Sequence, residues 1–368
     1  MSINRAKVAE IVNRHFLTCG INASLKENSF LEQPINGMIQ MGVLRKDDPF
    51  EKLLKRVSTD RRRERRLFFH FRTPEIAESI LKSYYLHMSH LACQKDDKEF
   101  EEFYERTGIW SPKSGFKFFP VDENGEQIAI MSPGRIKETI FNLSLTRELG
   151  NPRFWKDYAD DGRGCALILE VVYVSHEEDN RHFYELRDVC YDPGDTFNFI
   201  PNSQQELIDE IGLRLNLSRA PILASYTKRQ SLYDWELESR VIIDYQYINM
   251  GYKENPDLHF GCIEGGSATG LGRQYLLMPI VALPFANERH FKIRLRGILW
   301  GPNSSALQMK VEDHVKHNYG GIFTTGSELK AIEFINEYKF SEIPEEEGDF
   351  GSLLRRKKNG SRRPIVQY

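Results

Sequence analysis

The sequence predicts a mixed α+β fold with largely antiparallel sheets and peripheral helices. Apolar runs of strand length alternate irregularly with amphipathic stretches of helical length, and no regular succession of βαβ units connects them. Hydrophobic residues make up 40% of the 368 residues, which is enough apolar material for a substantial core. These observations exclude a chain that is disordered throughout.

The individual elements follow from their periodicity. The clearest local unit is a strand at 67–71 followed by a helix, because Thr73 is a good N-cap and Pro74 suits the first helical position. Spacing and alternation predict, in order, helices at 6–17 and 49–66, the strand at 67–71, the helix from Pro74, a strand at 84–88, a helix at 95–106, a loop or hairpin at 107–135, a strand at 140–146, a helix from Asn151, a strand at 165–174, a helix at 206–217, strands at 275–283 and 293–300, a helix at 305–317 and a strand at 321–325.

Three regions are expected along the chain. Residues 1–48 are predicted to form an N-terminal helical extension, and residues 49–345 a single α+β catalytic domain. Residues 346–368 are acidic, then glycine-containing, then basic, with little apolar content, so we expect a disordered tail. The formal net charge of −3 argues against bulk attraction to polyanions, although basic residues cluster at 61–66 and 355–363.

Cysteine usage and the lack of long apolar segments indicate a cytoplasmic protein. The five cysteines are widely spaced and form no Cys-x-x-Cys pair, as is typical of reduced thiols. The N-terminus carries no cleavable apolar segment, and no run reaches the roughly 18 apolar residues that a membrane span needs. We therefore expect a soluble protein without a membrane partner, and secretion as an effector without a cleaved signal stays open.

Two glutamates, Glu236 and Glu238, stand where a loop leads into an apolar run. Strand geometry would place both side chains on one face, because alternate residues of a strand face the same way. Like charges so close disfavour each other's ionised forms, so a fold keeps them there for solvent or for chemistry. Solvated carboxylates at a strand edge are the commoner case, and pairing of Arg240 with Glu238 or Asp244 is a structural alternative.

Five short motifs occur in an order that resembles a known family. They are His70-Phe71-x-Thr73 before a helix, Leu143-Ser144 on a strand, Phe154-Trp155-x-x-Tyr158-Ala159-Asp160 before a turn, Trp235-x-x-Glu238-x-Arg240, and Ile298-Leu299-Trp300-Gly301-Pro302. In this order they resemble the bacterial domain-of-unknown-function 2971 family over residues 67–334. The family name assigns no chemistry, so the function must come from the arrangement of the residues.

The same residues are similar to the three-part signature of ADP-ribosyltransferases. That signature has a His or Arg on a first strand, Ser or Thr on a second, and Glu on or before a third. The matching positions here are His70, Ser144 with Thr146, and Glu236 with Glu238. The resemblance implies an ADP-ribosyltransferase-like core. It also implies NAD as a substrate and a macromolecular acceptor, protein or nucleic acid, in a toxin, effector or defence role.

The chemistry of that reaction assigns an expected role to each position. Departure of nicotinamide from NAD leaves an oxocarbenium-like ribosyl centre, which a carboxylate at Glu238 would stabilise. Glu236 would orient or deprotonate the acceptor nucleophile. Contact with NAD is expected from residues of the first three motifs and the second strand, namely His70, Thr73, Ser144, Thr146 and Tyr158. The hydroxyls of Ser144 and Thr146 would brace either the glutamate or the nicotinamide ribose. The reaction requires no metal, and none is predicted.

Two other functions stay open. A metal-dependent nuclease would use a group of imidazoles and carboxylates, namely His87, His90, Asp96, Asp97 and Glu99. A non-enzymatic nucleic-acid or protein-binding module would use the basic segments to contact phosphates or acidic surfaces. Individual residues also have structural interpretations, since His70 lies among phenylalanines and Tyr158 has the spacing of a helix core residue. The order of the motifs favours the enzyme.

Overall fold

The computed structural model has a mixed α+β fold, as expected, with a mostly antiparallel sheet and helices around it. It describes residues 3–22, 24–35, 38–43, 66–91, 99–107, 110–111, 115–116, 140–173, 184–191, 199–212, 220–228, 230–244, 259–263, 273–279 and 291–340. Apart from Arg66, the predicted helix at 49–66 lies outside these ranges, as does the predicted tail at 346–368.

Helices and strands alternate irregularly along the described residues. In chain order they are α1 (Arg5–Thr18), β1 (Phe30–Ile35), β2 (Met38–Val43), β3 (Arg66–Arg72), α2 (Pro74–Ser83), β4 (Tyr85–His90), α3 (Glu99–Arg106), β5 (Trp110–Ser111), β6 (Gly115–Phe116), β7 (Ile140–Thr146), α4 (Arg153–Asp157), β8 (Cys165–Tyr173), β9 (Tyr184–Asp188), α5 (Phe199–Ile211), α6 (Ala220–Ser225), α7 (Gln230–Tyr233), β10 (Glu238–Asp244), β11 (His259–Ile263), β12 (Arg273–Pro279), β13 (Phe291–Trp300), α8 (Ser305–Asn318), β14 (Phe323–Thr325) and α9 (Glu328–Glu337).

Most of the predicted elements are confirmed within the described residues. The elements α1, β3, α2, β7, α4, β8, β13 and α8 occupy their expected positions, and β5 pairs with β6 inside the expected loop or hairpin. Helix α5 begins at Phe199, before the predicted start at 206. Pro201 is compatible with this start, because it stands in the first turn, where backbone N–H groups have no partner within the helix. The sequence pattern does not predict the strands β1, β2, β9 and β11 or the helices α6, α7 and α9.

Packing divides the chain into two compact units, each assembled from three segments. The first unit contains Met1–Asp60, Gln94–Thr139 and Asp188–Asp234, and the second contains Arg61–Cys93, Ile140–Arg187 and Trp235–Tyr368. Within the first unit, α1 packs against α5, and Lys7 Nζ lies 3.1 Å from Glu210 Oε2. The N-terminal residues thus belong to one unit with two later segments of the chain.

Ten strands of the described part of the chain form one sheet. Along its main path the order is β11-β12-β4-β7-β3-β8-β13-β14, and β10 followed by β9 extends it from β7. The strands β13 and β14 are parallel and are connected through α8. The other pairings along the main path are antiparallel, and so is the pairing of β10 with β7.

The sheet buries side chains on both faces, since successive residues of a strand point to opposite sides. On one face, Phe68, Leu143 and Val241 pack with apolar residues of α2 and α8. On the other face, Phe69 and Phe71 pack with apolar residues of α4 and α9. Helices on both faces thus hold the strands that carry the candidate site residues.

Strand β7 is the branch point of the sheet. One of its edges pairs with β10 along the whole strand, beginning with Glu238 opposite Thr146. The other edge is shared by β3, which contributes Phe69 opposite Thr146, and by β4 towards the opposite end. Strands β3 and β7 therefore diverge beyond a single described pair, although β3 stays paired with β8 as far as Arg72.

Candidate active site

The three strands of the expected signature lie side by side in the sheet. The first, β3, carries His70, the second, β7, carries Ser144 and Thr146, and the third, β10, begins at Glu238. Thr146 lies directly opposite Glu238 across one edge of β7 and opposite Phe69 across the other. Since directly opposed residues of antiparallel strands share a face, Thr146 and Glu238 project to the same side of the sheet.

The two glutamates lie on either side of a sharp turn, residues 234–238, which we name the glutamate turn. Asp234–Glu236 form a single 3₁₀ turn, Leu237 follows with a φ of 41°, and β10 begins at Glu238. Because only Glu238 lies in the strand, the alternation that predicted one shared face does not apply to Glu236. Both glutamates are 4% exposed, so neither is a solvated strand-edge carboxylate, whereas Leu237 between them is 48% exposed.

Glu238 is held by a guanidinium two positions further along its own strand. Arg240 Nε donates to Glu238 Oε1 at 2.8 Å, and Arg240 Nη2 donates to Glu238 Oε2 at 3.0 Å. Arg240 is 0% exposed, so this double contact is sealed from solvent. Of the two pairings expected as a structural alternative, that of Arg240 with Glu238 is confirmed. A charge-assisted contact of this kind fixes the orientation of the carboxylate and stabilises its ionised form.

Glu236 has different partners. The Tyr158 hydroxyl donates to Glu236 Oε1, and the Thr146 hydroxyl donates to the carbonyl oxygen of Glu236 at 2.8 Å. Thr146 Oγ1 also accepts from the Glu148 N–H at 3.1 Å. The second strand thus holds the backbone of the glutamate turn, while the segment after α4 holds its carboxylate. One glutamate therefore contacts a cation and the other a neutral phenol.

His70 connects the first strand to the second through its ring. Its Nδ1 lies 2.8 Å from the carbonyl oxygen of Ser144, which can only accept, so Nδ1 carries a proton. A neutral ring then has its lone pair at Nε2. His70 is 1% exposed and follows Phe69, so alternation directs its ring away from the face that Thr146 shares with Glu238. The contact ties β3 to β7 just beyond their single described pair.

Aromatic side chains pack against the glutamate turn. The ring centroid of Trp235 lies 5.0 Å from that of Phe154, and the Arg153 guanidinium lies 5.5 Å from the Trp235 centroid. Phe154 also stacks on Phe71 of β3, with centroids 4.9 Å apart and an interplanar angle of 10°. Tyr158 belongs to the same cluster, so it combines the core packing expected from its spacing with a polar contact. Sequence reasoning missed Arg153, because a lone arginine before an aromatic pair carries no recognisable signal.

Thr73 lies where β3 ends and α2 begins. It occupies the predicted N-cap position without a side-chain capping bond, and its carbonyl oxygen accepts from the Ala77 N–H at 2.9 Å. Gly164 packs against this point so closely that a Cβ there would lie 1.9 Å from the carbonyl oxygen of Arg72. The Gly301 N–H donates to the Gly164 carbonyl oxygen at 3.1 Å, so the ends of β3, β8 and β13 meet. The described contacts of Thr73 do not connect it with either glutamate.

A further buried carboxylate joins β8 to β13. Glu170 Oε2 accepts from Arg296 Nε at 2.7 Å, and Arg294 Nη1 lies 3.8 Å from the same oxygen. A bulge in β13 redirects Arg296 towards this group. The motifs gave no indication of it, although a single glutamate inside the apolar strand Cys165–Tyr173 was a usable signal. None of the candidate site residues takes part in these contacts.

The residues of the alternative functions fall mostly outside what the structure describes. The undescribed set includes the side chains of His87, His90 and Glu99, the residues Asp96 and Asp97, and the basic segments at 61–65 and 355–363. Within the described ranges, no group of three or more His, Cys, Asp or Glu side chains is placed to hold a metal ion.

Comparison with models of protein families, with curated proteins and with solved structures finds no match to this chain. The resemblances to the domain-of-unknown-function 2971 family and to ADP-ribosyltransferases therefore rest on the residues themselves. Among the helices that the structure describes, none is long and apolar enough to cross a bilayer.

Proposed function

We propose that this chain is an ADP-ribosyltransferase that moves ADP-ribose from NAD to a macromolecular acceptor. One observation carries the proposal: the strands bearing His70, Thr146 and Glu238 are neighbours in the sheet, and Thr146 lies directly opposite Glu238. Thr146 and Glu238 are far apart in the sequence, yet they project to the same side of the sheet. Burial of both glutamates adds support, because carboxylates held out of solvent beside specific partners are typical of catalytic sites. An ADP-ribosyltransferase-like core and membership of the domain-of-unknown-function 2971 family belong to the same proposal.

The proposed reaction is a substitution at the ribose carbon that carries nicotinamide. The bond from that carbon to the nicotinamide nitrogen breaks, and its electron pair leaves with nicotinamide. Positive charge then develops on the ribosyl carbon and ring oxygen, where the ionised Glu238 would stabilise it. The acceptor nucleophile forms the new bond at the same carbon and loses its proton to Glu236. With water in place of the acceptor, the same steps give ADP-ribose and nicotinamide.

The partners of the two glutamates suit this division of roles. The Arg240 guanidinium keeps Glu238 ionised and oriented, which a charge-stabilising group needs throughout the reaction. Glu236 accepts from the uncharged Tyr158 hydroxyl, a partner that can stay in place when the carboxylate gains a proton. Different surroundings for two neighbouring carboxylates are a common way to separate an electrostatic stabiliser from an acid–base group.

NAD is proposed to bind on the face of the sheet that Thr146 shares with Glu238, where the half-buried Ser144 carries a hydroxyl suited to a ribose oxygen. His70 and Thr73 were also expected to contact NAD. The His70 ring is directed to the opposite face, so we assign it the role of tying β3 to β7 through the Ser144 carbonyl oxygen, and we assign Thr73 no role at the glutamates. Thr146 directs its hydroxyl to the glutamate turn, which agrees with the expected alternative that it braces the glutamate, and Tyr158, expected to contact NAD, directs its hydroxyl there too. Positioning of that turn is therefore the role that we assign to both of them.

Nicotinamide release from NAD by the purified chain tests the proposal. We expect release by the wild type, with transfer of labelled ADP-ribose to an acceptor in a mixture of proteins and nucleic acids. Glu238→Gln should lower the release at least about 100-fold, the usual loss when one charge-stabilising group is removed from an active site. Asp234→Asn is the matched control, because Asp234 is an exposed carboxylate of the same turn. Absence of release from folded wild-type protein, or full activity of Glu238→Gln, would contradict the proposal.

A further inference from the structure

Tyr158 differs from the other aromatic residues beside the glutamate turn because it has a polar contact with the candidate base. Its hydroxyl donates to Glu236 Oε1. Its ring centroid lies 6.3 Å from that of Phe154 and 6.4 Å from that of Trp235. A ring packed between neighbours in this way has few alternative positions, so its hydroxyl is presented to the carboxylate in one orientation.

We propose that Tyr158 is a positioning residue that holds Glu236 towards the acceptor and sets the lowest pH at which transfer proceeds. This inference rests on the proposed function and extends it to the regulation of the same site by pH. A hydrogen bond donated to an ionised carboxylate favours the ionised form. Glu236 therefore remains able to take a proton from the acceptor at a lower pH than it would without the phenol.

Other charged groups around the glutamate turn influence the same titration and must be separated from Tyr158. They include Asp234 in the turn, Glu238 and Arg240 on β10, Arg147 and Glu148 after β7, and Arg153 on α4. Glu238 repels a second negative charge nearby, and Arg240 offsets that repulsion. Tyr158→Phe changes none of these charges and keeps the ring, so a shift that it causes belongs to the lost hydrogen bond.

The first measurement is the pH profile of transfer for the wild type and Tyr158→Phe. We expect the acid limb of kcat to move to higher pH in the variant, with a loss on that limb of about 10-fold for each pH unit of the displacement. Tyr319→Phe is the matched control, because it removes a buried tyrosine hydroxyl that donates to the Leu81 carbonyl oxygen at 2.8 Å. That control should lower the melting temperature without moving the limb, which separates a structural loss from a change in the base.

The second measurement is the titration of Glu236 without NAD. Glutamate labelled with ¹³C at the side-chain carboxyl reports the midpoint, and Glu236→Gln assigns the signal. A higher midpoint in Tyr158→Phe, together with the displaced limb, supports the role of Tyr158. An unmoved limb, or a limb that moves without the midpoint of Glu236, overturns that role alone. Absence of nicotinamide release from the wild type overturns the proposed function, and the role of Tyr158 in transfer with it.

Discussion

Changing Glu238 and Arg240 together separates a structural role of their ion pair from a catalytic role of the carboxylate. The guanidinium donates twice to the carboxylate, at 2.8 and 3.0 Å, and the two side chains are 0% and 4% exposed. Glu238→Gln removes the counter-charge of a buried arginine, and removal of one partner from such a pair costs about 3–5 kcal/mol of unfolding free energy. Arg240→Met should cost a similar amount, because it leaves the carboxylate buried without this cation.

The double variant should recover much of the stability. Replacing both members of a buried pair by uncharged groups of similar volume is often neutral or stabilising, because no desolvated charge remains. We therefore expect Glu238→Gln with Arg240→Met to be close to the wild type in stability, although the losses of the two single variants sum to about 6–10 kcal/mol. Urea unfolding of the wild type, both single variants and the double variant gives this coupling energy directly.

Activity of the double variant then decides the role of Glu238. If Glu238 stabilises the ribosyl charge, nicotinamide release stays at least about 100-fold below the wild type although the stability has returned. If the pair serves only the fold, release recovers together with the stability. Recovery would refute the catalytic assignment, and poor folding could not explain it. A coupling energy near zero would instead refute the buried double contact itself.

Glu236, Gly164 and Cys165 each support a separate prediction. Glu236→Gln keeps the acceptor oxygen of the side chain and should reduce ADP-ribose transfer more than NAD hydrolysis, both followed with labelled NAD, and equal losses would contradict separate roles for the glutamates. Gly164→Ala places a Cβ 1.9 Å from the carbonyl oxygen of Arg72 and should cost about 1–3 kcal/mol in urea unfolding. Gly150→Ala, with nothing within 4 Å of its Cβ, should be close to neutral, and equal effects of the two would show that the contact is unimportant. Burial raises the pKa of the Cys165 thiol from its ordinary 9.0 to about 12, so a thiol reagent at neutral pH should label it only after unfolding. Because the unfolded thiol ionises first, stability should be lost between those two pH values by up to about 1.4 kcal/mol per unit, and Cys165→Ala should abolish this part of the alkaline slope.

The elements around the candidate site can be predicted from the sequence because their signals are local. The pair Thr73-Pro74 marks the start of α2, and alternation over 140–146 marks β7. Which strands are neighbours depends instead on pairing between distant segments, such as Glu238 with Thr146. Periodicity within one sequence contains no information on that pairing, so the adjacency of β3, β7 and β10 could be expected only from the resemblance to a known signature.

The form of the glutamate turn could not be predicted for a different reason. Leucine seldom adopts a positive φ, so the sequence gives no indication of the φ of 41° at Leu237. Tertiary contacts impose it, because Thr146 holds the carbonyl oxygen of Glu236 while the β7–β10 ladder begins only at Glu238. The prediction that both glutamates share one face applied strand alternation to Glu236, which lies in the turn before the strand.

The glutamate turn combines several features that lower stability. Leu237 holds a left-handed backbone conformation, which costs roughly 1–2 kcal/mol for a residue with a Cβ. The same residue leaves nearly half of an apolar side chain in water, while Glu236 and Glu238 are taken out of it. Desolvating an ion costs several kcal/mol, and even a well-formed partner contact often does no more than offset that cost. Glycine at 237 and neutral residues at both glutamate positions would avoid these costs within the same turn. The proposed function would account for the concentration of these costs in residues 234–238, because it requires two positioned carboxylates there.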